Sequence, residues 1–244
     1  MKSLMQPMQL IKLLTLIAIL SANLLTQQAS ALQMEPMSLI LKPAGGGSKQ
    51  SFTVANETNK PMAVKFSITT RQTINNKEVR RPASHEFLIY PAQTVIPPRT
   101  SQRIRVEWLG NQRLNKEKPY RLIAEQLPVD LGEKKKTGLT MLMKMEGSLY
   151  VQPSNTKSNI RVTRVQQHGN MLAVTVQNTG TRHQLLTRTR LSLKNGNQAI
   201  NLNSQALKGL EGNNILAGET MRFIIKKPAN FRNGNWASNL IFAK

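Results

Sequence analysis

Residues Leu139 to Val151 read LTMLMKMEGSLYV, and every odd position except Gly147 is apolar: Leu139, Met141, Met143, Met145, Leu149 and Val151. A period of two is the signature of a strand with one apolar face. Three of these residues are methionine, where strands ordinarily use β-branched or aromatic side chains. The unbranched thioether adapts to neighbours of different shape, which suits a binding face better than a fixed core. The plain alternative is that the odd face packs into the core of its own domain, as half-buried strands do. Upstream, Gly132 to Gly138 (GEKKKTG) reads as a glycine-bounded basic loop. Downstream, Gln152, Pro153 and Ser154 end the strand at an expected domain hinge.

Working outward, the chain opens with a cleavable leader. Lys2 and Lys12 precede an apolar run from Leu13 to Leu25, polar Thr26 to Gln28, and the small-residue site Ala29, Ser30, Ala31. That run is short of the roughly 20 residues a membrane span needs, and no later stretch approaches it, so no stable membrane insertion is expected after cleavage. Residues 32–244 then form the mature chain, long enough for one large domain or two of ~100 residues.

The whole sequence holds 34 Lys and Arg against 12 Asp and Glu. Loss of the two leader lysines leaves a formal charge of +20. An exported protein meets little nucleic acid, so anionic surfaces or an acidic protein are the expected partners of that charge, with an ordinary solvated surface as the simpler account. There is no cysteine, which excludes disulfides, thiolate chemistry and cysteine metal sites.

Short alternating runs continue on both sides of the methionine strand. Before it come Leu39 to Leu41, Ser51 to Ala55, Met62 to Ile68, Phe87 to Tyr90, Val95 and Ile96, Arg103 to Trp108, and Tyr120 to Leu127. With the methionine strand these make seven or eight strands in ~120 residues, the count of an immunoglobulin-like sandwich. After Pro153 the pattern restarts with Ile160 to Val165, Met171 to Val176, Leu186 to Leu193, Met221 to Ile225 and Trp236 to Phe242, separated by Asn and Gly turns. The expectation is an all-β chain with a leader (1–31), a first domain (32–152) and a second β-sandwich (153–244).

Catalytic chemistry is not legible. His85, His168 and His183 stand far apart in polar, turn-like surroundings and read as lone surface histidines. No phosphate-cradling glycine loop, nucleophile elbow, metalloprotease helix or carboxylate pair is present, so no enzyme, metal or cofactor is expected. Asn56, Glu57 and Thr58 fit a glycosylation sequon, and equally a turn after a strand.

The order of motifs resembles the periplasmic pilus (fimbrial) chaperones of the chaperone/usher pathway. The resemblance is carried by the FTVAN turn opening, FLIYPAQTVIPP (Phe87 to Pro98), QRIRV (Gln102 to Val106), KPYRLIAEQLPV (Lys118 to Val129), the basic loop, and the alternating strand ending in LYVQP. It implies two immunoglobulin-like β-sandwich domains in a boomerang arrangement. The implied function is capture of a secreted pilus subunit, whose sandwich lacks its last strand, and delivery to an outer-membrane usher. The chaperone lends its own strand to cover the open edge, which is β-strand addition. Position by position, the groove-filling residues fall on Leu139, Met141 and Met143, with Met145 continuing the face. The family's carboxylate-gripping Arg and Lys fall on Ser38 and Ser148, which cannot supply charge; Lys144, Arg105 and Arg121 are the nearby cations. Glu117 matches the acidic residue that ties the two domains, but its basic partner is replaced by Gln152, which puts the tie in doubt. Lysines 134–136 would keep unoccupied donor edges apart, or simply solubilise a loop. The competing reading is a secreted tandem β-domain adhesin or polyanion-binding module.

Overall fold

Alternation becomes strand along most of the chain in the computed structural model, which describes residues 32–129 and 141–242. The expected leader 1–31, the lysines 134–136 and Leu139 lie outside the described residues. The first half builds β1 (Leu32–Glu35), β2 (Ser38–Leu41), β3 (Lys49–Asn56), β4 (Met62–Thr70), β5 (Gln72–Ile74), β6 (Lys77–Val79), β7 (Phe87–Tyr90), β8 (Gln93–Ile96), β9 (Thr100–Trp108), β10 (Lys118–Gln126) and β11 (Lys144–Val151). One sheet has the order β1-β3-β9-β7 and the other β2-β11-β10-β4-β8. Their inward residues form one core, with Phe52 of β3 edge-on to Phe66 of β4 at 5.8 Å, and Phe87, Trp108 and Tyr120 clustered at one end. Such edge-to-face geometry lets the positive ring edge meet the negative face.

The second half repeats the plan with β12 (Ile160–His168), β13 (Met171–Asn178), β14 (Gln184–Leu185), β15 (Thr189–Asn195), β16 (Gln198–Leu202), β17 (Asn214–Ile215), β18 (Thr220–Lys226) and β19 (Ala237–Phe242). The sheets β12-β13-β18 and β16-β15-β19, with the short pair β14-β17, enclose a second core that includes Leu172, Val174, Leu191, Leu193, Phe223 and Leu240. The expected strand over Leu186 to Leu193 begins only at Thr189, and a break at Leu186 to Arg188 separates it from β14. Arg188 takes a positive φ of 51° between them, and the Glu211 carboxylate accepts the Arg188 and Thr189 backbone N–H groups and the Thr189 hydroxyl. The stretch LTRTRLSL thus conceals a break that a distant side chain helps to hold.

Both sandwiches close one end with the same device. Asn56 is buried; its Oδ1 accepts the N–H of Thr58 and its Nδ2 donates to the carbonyls of Lys60 and Ile96. Buried Asn178 accepts from the N–H of Gly180 and donates to the carbonyls of Arg182 and Ile215. Each amide therefore satisfies a turn two and four residues on, together with a distant strand end, which buried backbone groups require. Of the two readings of Asn56-Glu57-Thr58 the turn prevails, because a glycosylated amide nitrogen would have to be exposed.

Candidate functional site

β11 pairs antiparallel with β10 along its whole length, from Lys144 opposite Glu125 to Val151 opposite Lys118. On its other side β2 pairs with it, in parallel, only over Ser148 to Val151. The Ser148 N–H donates to the Met37 carbonyl at 2.8 Å and the Gln152 N–H to the Leu41 carbonyl at 2.8 Å, so even-numbered residues turn their backbone groups toward β2. Strand alternation carries Lys144 and Glu146 to that same side, where β2 has ended and no described strand pairs with them. The first half of β11 is an open edge.

The two readings of the odd face divide along its length. Leu149 and Val151 lie in the core. At Gly147 the crossover from β1 to β2 passes directly overhead: a Cβ there would meet Met34 Cε at 3.0 Å and the Met37 carbonyl oxygen at 3.1 Å, which explains the gap in the apolar pattern. Met145 and Met143 are half-buried against the rim of the core, whereas Met141 is 76% exposed. The expected strand over residues 139–151 begins only at Lys144, because β10 ends at Gln126. Gln126 still holds Met143, donating its N–H to the Met143 carbonyl (2.8 Å) and accepting the Met143 N–H at its side-chain oxygen (3.2 Å).

Ser38 and Ser148, separated by more than a hundred residues, are register partners across β2 and β11. Arg121, opposite Ser148 on β10, donates from Nη1 to Ser148 Oγ at 3.1 Å. Its remaining donors grip Glu78 of β6, Nε to Oε1 at 2.9 Å and Nη2 to Oε2 at 2.6 Å. Arg71 and Arg80 also reach Glu78, at 3.0 and 2.6 Å, and Arg80 bridges on to Glu146 at 2.7 Å, with Lys144 Nζ 3.6 Å from the same carboxylate. Four cations thus face two carboxylates. Burial by itself would raise the Glu78 pKa, but the hydrogen bonds and charges of Arg121, with Arg80 and Arg71, outweigh it and hold the carboxyl at about 2. The Arg80 hydrogen bond lowers Glu146 in the same way.

Arg105 is not part of this group: it stands on β9 in the opposite sheet, 3.5 Å from Glu107. The residues that sequence reasoning missed are Glu78, Arg71 and Arg80, held by the β5–β6 hairpin. Its signal was present in Asn75 and Asn76, whose φ of 51° and 61° form the two-residue turn that right-twisted strands favour.

Glu117 and Gln152 are tied after all. Buried Glu117 accepts from Gln152 Nε2 at 2.7 Å, and its other oxygen takes the His183 N–H (3.1 Å) and lies 2.7 Å from His183 Nδ1. His183 is therefore no lone surface histidine: it reaches Glu117 from the second sandwich, and its ring stacks on Tyr150 at 3.9 Å. The Tyr150 hydroxyl accepts from Arg71 (3.3 Å) and Asn214 (2.7 Å), and the β5–β6 hairpin reaches the second sandwich through Thr73 N–H to Glu219 and Asn76 to the Arg222 backbone. Among the described residues, no group of three or more His, Asp or Glu is placed to hold a metal.

Comparison with solved structures recovers this fold in pilus chaperones. A chaperone–tip adhesin complex of CFA/I fimbriae biogenesis matches with a TM-score of 0.59 and 13% identity over 87% of this chain and 95% of that one. The class 5 fimbriae chaperone CfaA matches with a TM-score of 0.57 and 14% identity over 87% and 100%. The CsuC–CsuE chaperone–tip adhesion subunit pre-assembly complex of archaic Csu pili from Acinetobacter baumannii gives 0.55 and 15% over 80% and 90%. No curated protein sequence matches the chain. At these identities the structural matches establish two immunoglobulin-like β domains. The family signature described as "Pili and flagellar-assembly chaperone, PapD N-terminal domain" matches residues 31–157, about half of the sequence, and covers the whole of the first sandwich with β11. The chain belongs to the family of pili and flagellar-assembly chaperones.

Proposed function

We propose that this protein is a periplasmic chaperone that binds a secreted pilus subunit by donating β11 to the subunit's unfinished sandwich, and then passes it to an outer-membrane usher. The observation that carries this reading is the half-open edge of β11 beside an exposed Met141. Backbone groups of Lys144 and Glu146 supply the hydrogen bonds of an added strand, while Leu139, Met141, Met143 and Met145 supply the alternate side chains for an apolar groove. The leader supports export, and no helix among the described residues is long and apolar enough to cross a membrane. The solved complexes of related fold hold tip subunits, which supports a subunit as partner.

In this reading the subunit's terminal carboxylate docks at the Ser38–Ser148 pair. The positive charge comes from Arg121, whose guanidinium already touches Ser148, with Lys144 at the mouth of the edge. The hydroxyls become hydrogen-bond donors and the arginine the counter-charge, a division of labour suited to a bidentate anion. No catalytic step is involved.

The test is co-expression of the mature chain with a secreted β-rich subunit lacking its last strand. The expected product is a one-to-one complex that keeps the subunit soluble and is lost in the Met141→Ser, Met143→Ser double variant. A subunit equally soluble without the chaperone, or captured equally well by the double variant, defeats the reading.

A further inference from the structure

The two sandwiches treat their charges differently. Residues 32–152 carry ten acidic groups, and ion pairs such as Lys49–Glu107, Arg80–Glu146 and Lys118–Glu86 engage many of them. Residues 153–244 carry thirteen Lys and Arg against only Glu211 and Glu219. Both carboxylates are spent on backbone N–H groups, those of Arg188 and Thr189 for Glu211 and that of Thr73 for Glu219. The second sandwich therefore holds a formal +11, and its two half-buried carboxylates are engaged by backbone N–H groups.

Strand register gathers part of this charge on one plane. In the sheet β12-β13-β18 the inward positions of β13 and β18 are Leu172, Val174 and Val176 with Phe223 and Ile225. Arg164, Thr175 and Arg222 then form one outward row, and Met171 and Lys226 stand side by side in another. Arg161 continues the outward face of β12 through the irregularity between Val162 and Arg164. Arg164 and Arg222 flank a single strand, so their backbones are about 10 Å apart. Arg161, Arg164, Arg222 and Lys226 are all exposed, and among the described residues none has a carboxylate partner. Two apolar side chains, Met171 and Ile224, are exposed on the same plane.

We infer that the outward face of β12-β13-β18 is a docking surface for an anionic phospholipid membrane. The argument is charge complementarity together with shape. The plane is a pleated sheet, and its cations are long, unpaired side chains that no acidic neighbour fixes in place. A fluid array of headgroups gathers beneath such charges without any matched geometry, and Met171 and Ile224 meet the apolar boundary just below the headgroups. This surface lies on the second sandwich, where its β18 edge meets the β5–β6 hairpin through Asn76 and the Arg222 backbone, and it uses none of the residues assigned to subunit capture.

The test is co-sedimentation of the mature chain with vesicles of mixed phosphatidylglycerol and phosphatidylcholine, compared with phosphatidylcholine alone, at low and high salt. Arg161→Glu with Arg164→Glu changes the face; Arg103→Glu with Arg113→Glu makes the same change of net charge at exposed sites on the first sandwich. The expected result is salt-sensitive binding to the anionic vesicles only, weakened about 30-fold or more by the first pair and little changed by the second. Folding of each variant is checked by thermal melting. Equal loss in both variants would show that net charge alone acts and overturns the assignment. So does wild-type protein that ignores anionic vesicles, including the case in which an acidic protein covers the face instead.

Discussion

The serine series at Met141, Met143 and Met145 separates donation from packing, because the structure places the three thioethers at different depths. Met141 is 76% exposed, so nearly all of its apolar surface remains to be buried by a guest. Full burial of a methionine stabilises by roughly 1.5–3 kcal/mol, so Met141→Ser removes about 1–2.3 kcal/mol of binding, a Kd about 6- to 50-fold weaker. It leaves the melting temperature of the free protein unchanged. Met143 and Met145 already pack on the rim of the first core. Serine at Met145 therefore costs stability first, on the order of 1–2 kcal/mol, or a few degrees in melting temperature. Met143→Ser falls between the two. Titration calorimetry against a subunit, paired with calorimetric melting of the free variants, measures both axes. A Met141→Ser protein that binds as tightly as wild type, while Met145→Ser abolishes binding without loss of stability, would refute the argument from depth.

Gly147→Ala puts a methyl group against Met34 Cε and the Met37 carbonyl, and since the latter is backbone, the crossover between β1 and β2 must give way slightly; a loss of about 1–3 kcal/mol is expected in urea unfolding. Glu78 makes stability acid-sensitive. Its folded pKa of about 2 lies below the ordinary value of 4.5, so its contribution is full above that ordinary value and fades as pH falls toward 2. The shift corresponds to at most about 3 kcal/mol, the Glu78 side chain being only 23% exposed. Glu78→Gln should flatten the stability curve between those two pH values, and an unchanged acid profile would count against the three-arginine cluster. His183→Ala removes the Tyr150 stack and leaves buried Glu117 short of a partner, at a cost of about 1–3 kcal/mol. Hydrogen exchange should quicken at the Glu117 amide, which donates to the Thr181 carbonyl across the interface; protection as in wild type would show that the interface does not depend on His183.

What the chain states on its own is periodicity. Alternation in residues 62–70, 100–108 and 144–151 is a local property, because successive side chains on an extended backbone point to opposite faces whatever lies beyond them. The all-β class, the two groups of strands and the methionine face were therefore legible; the Glu117–Gln152 hydrogen bond was not, since a glutamine in place of a basic residue put that tie in doubt. Edges, depth and partners were not legible either. Met141 and Met145 are the same residue type in the same alternating pattern, yet one is in solvent and the other on the core, because β10 stops at Gln126 and β2 covers only Ser148 to Val151. His183 looked isolated because its partner lies 66 positions away. Arg121 was one of three cations the sequence offered beside Ser38 and Ser148, and it reaches the Ser148 hydroxyl because β10 runs antiparallel in that register. Tertiary structure alone settled these points: a sheet brings distant residues to one site through hydrogen-bond register, and the alternation that makes each strand carries no record of which strand will lie beside it.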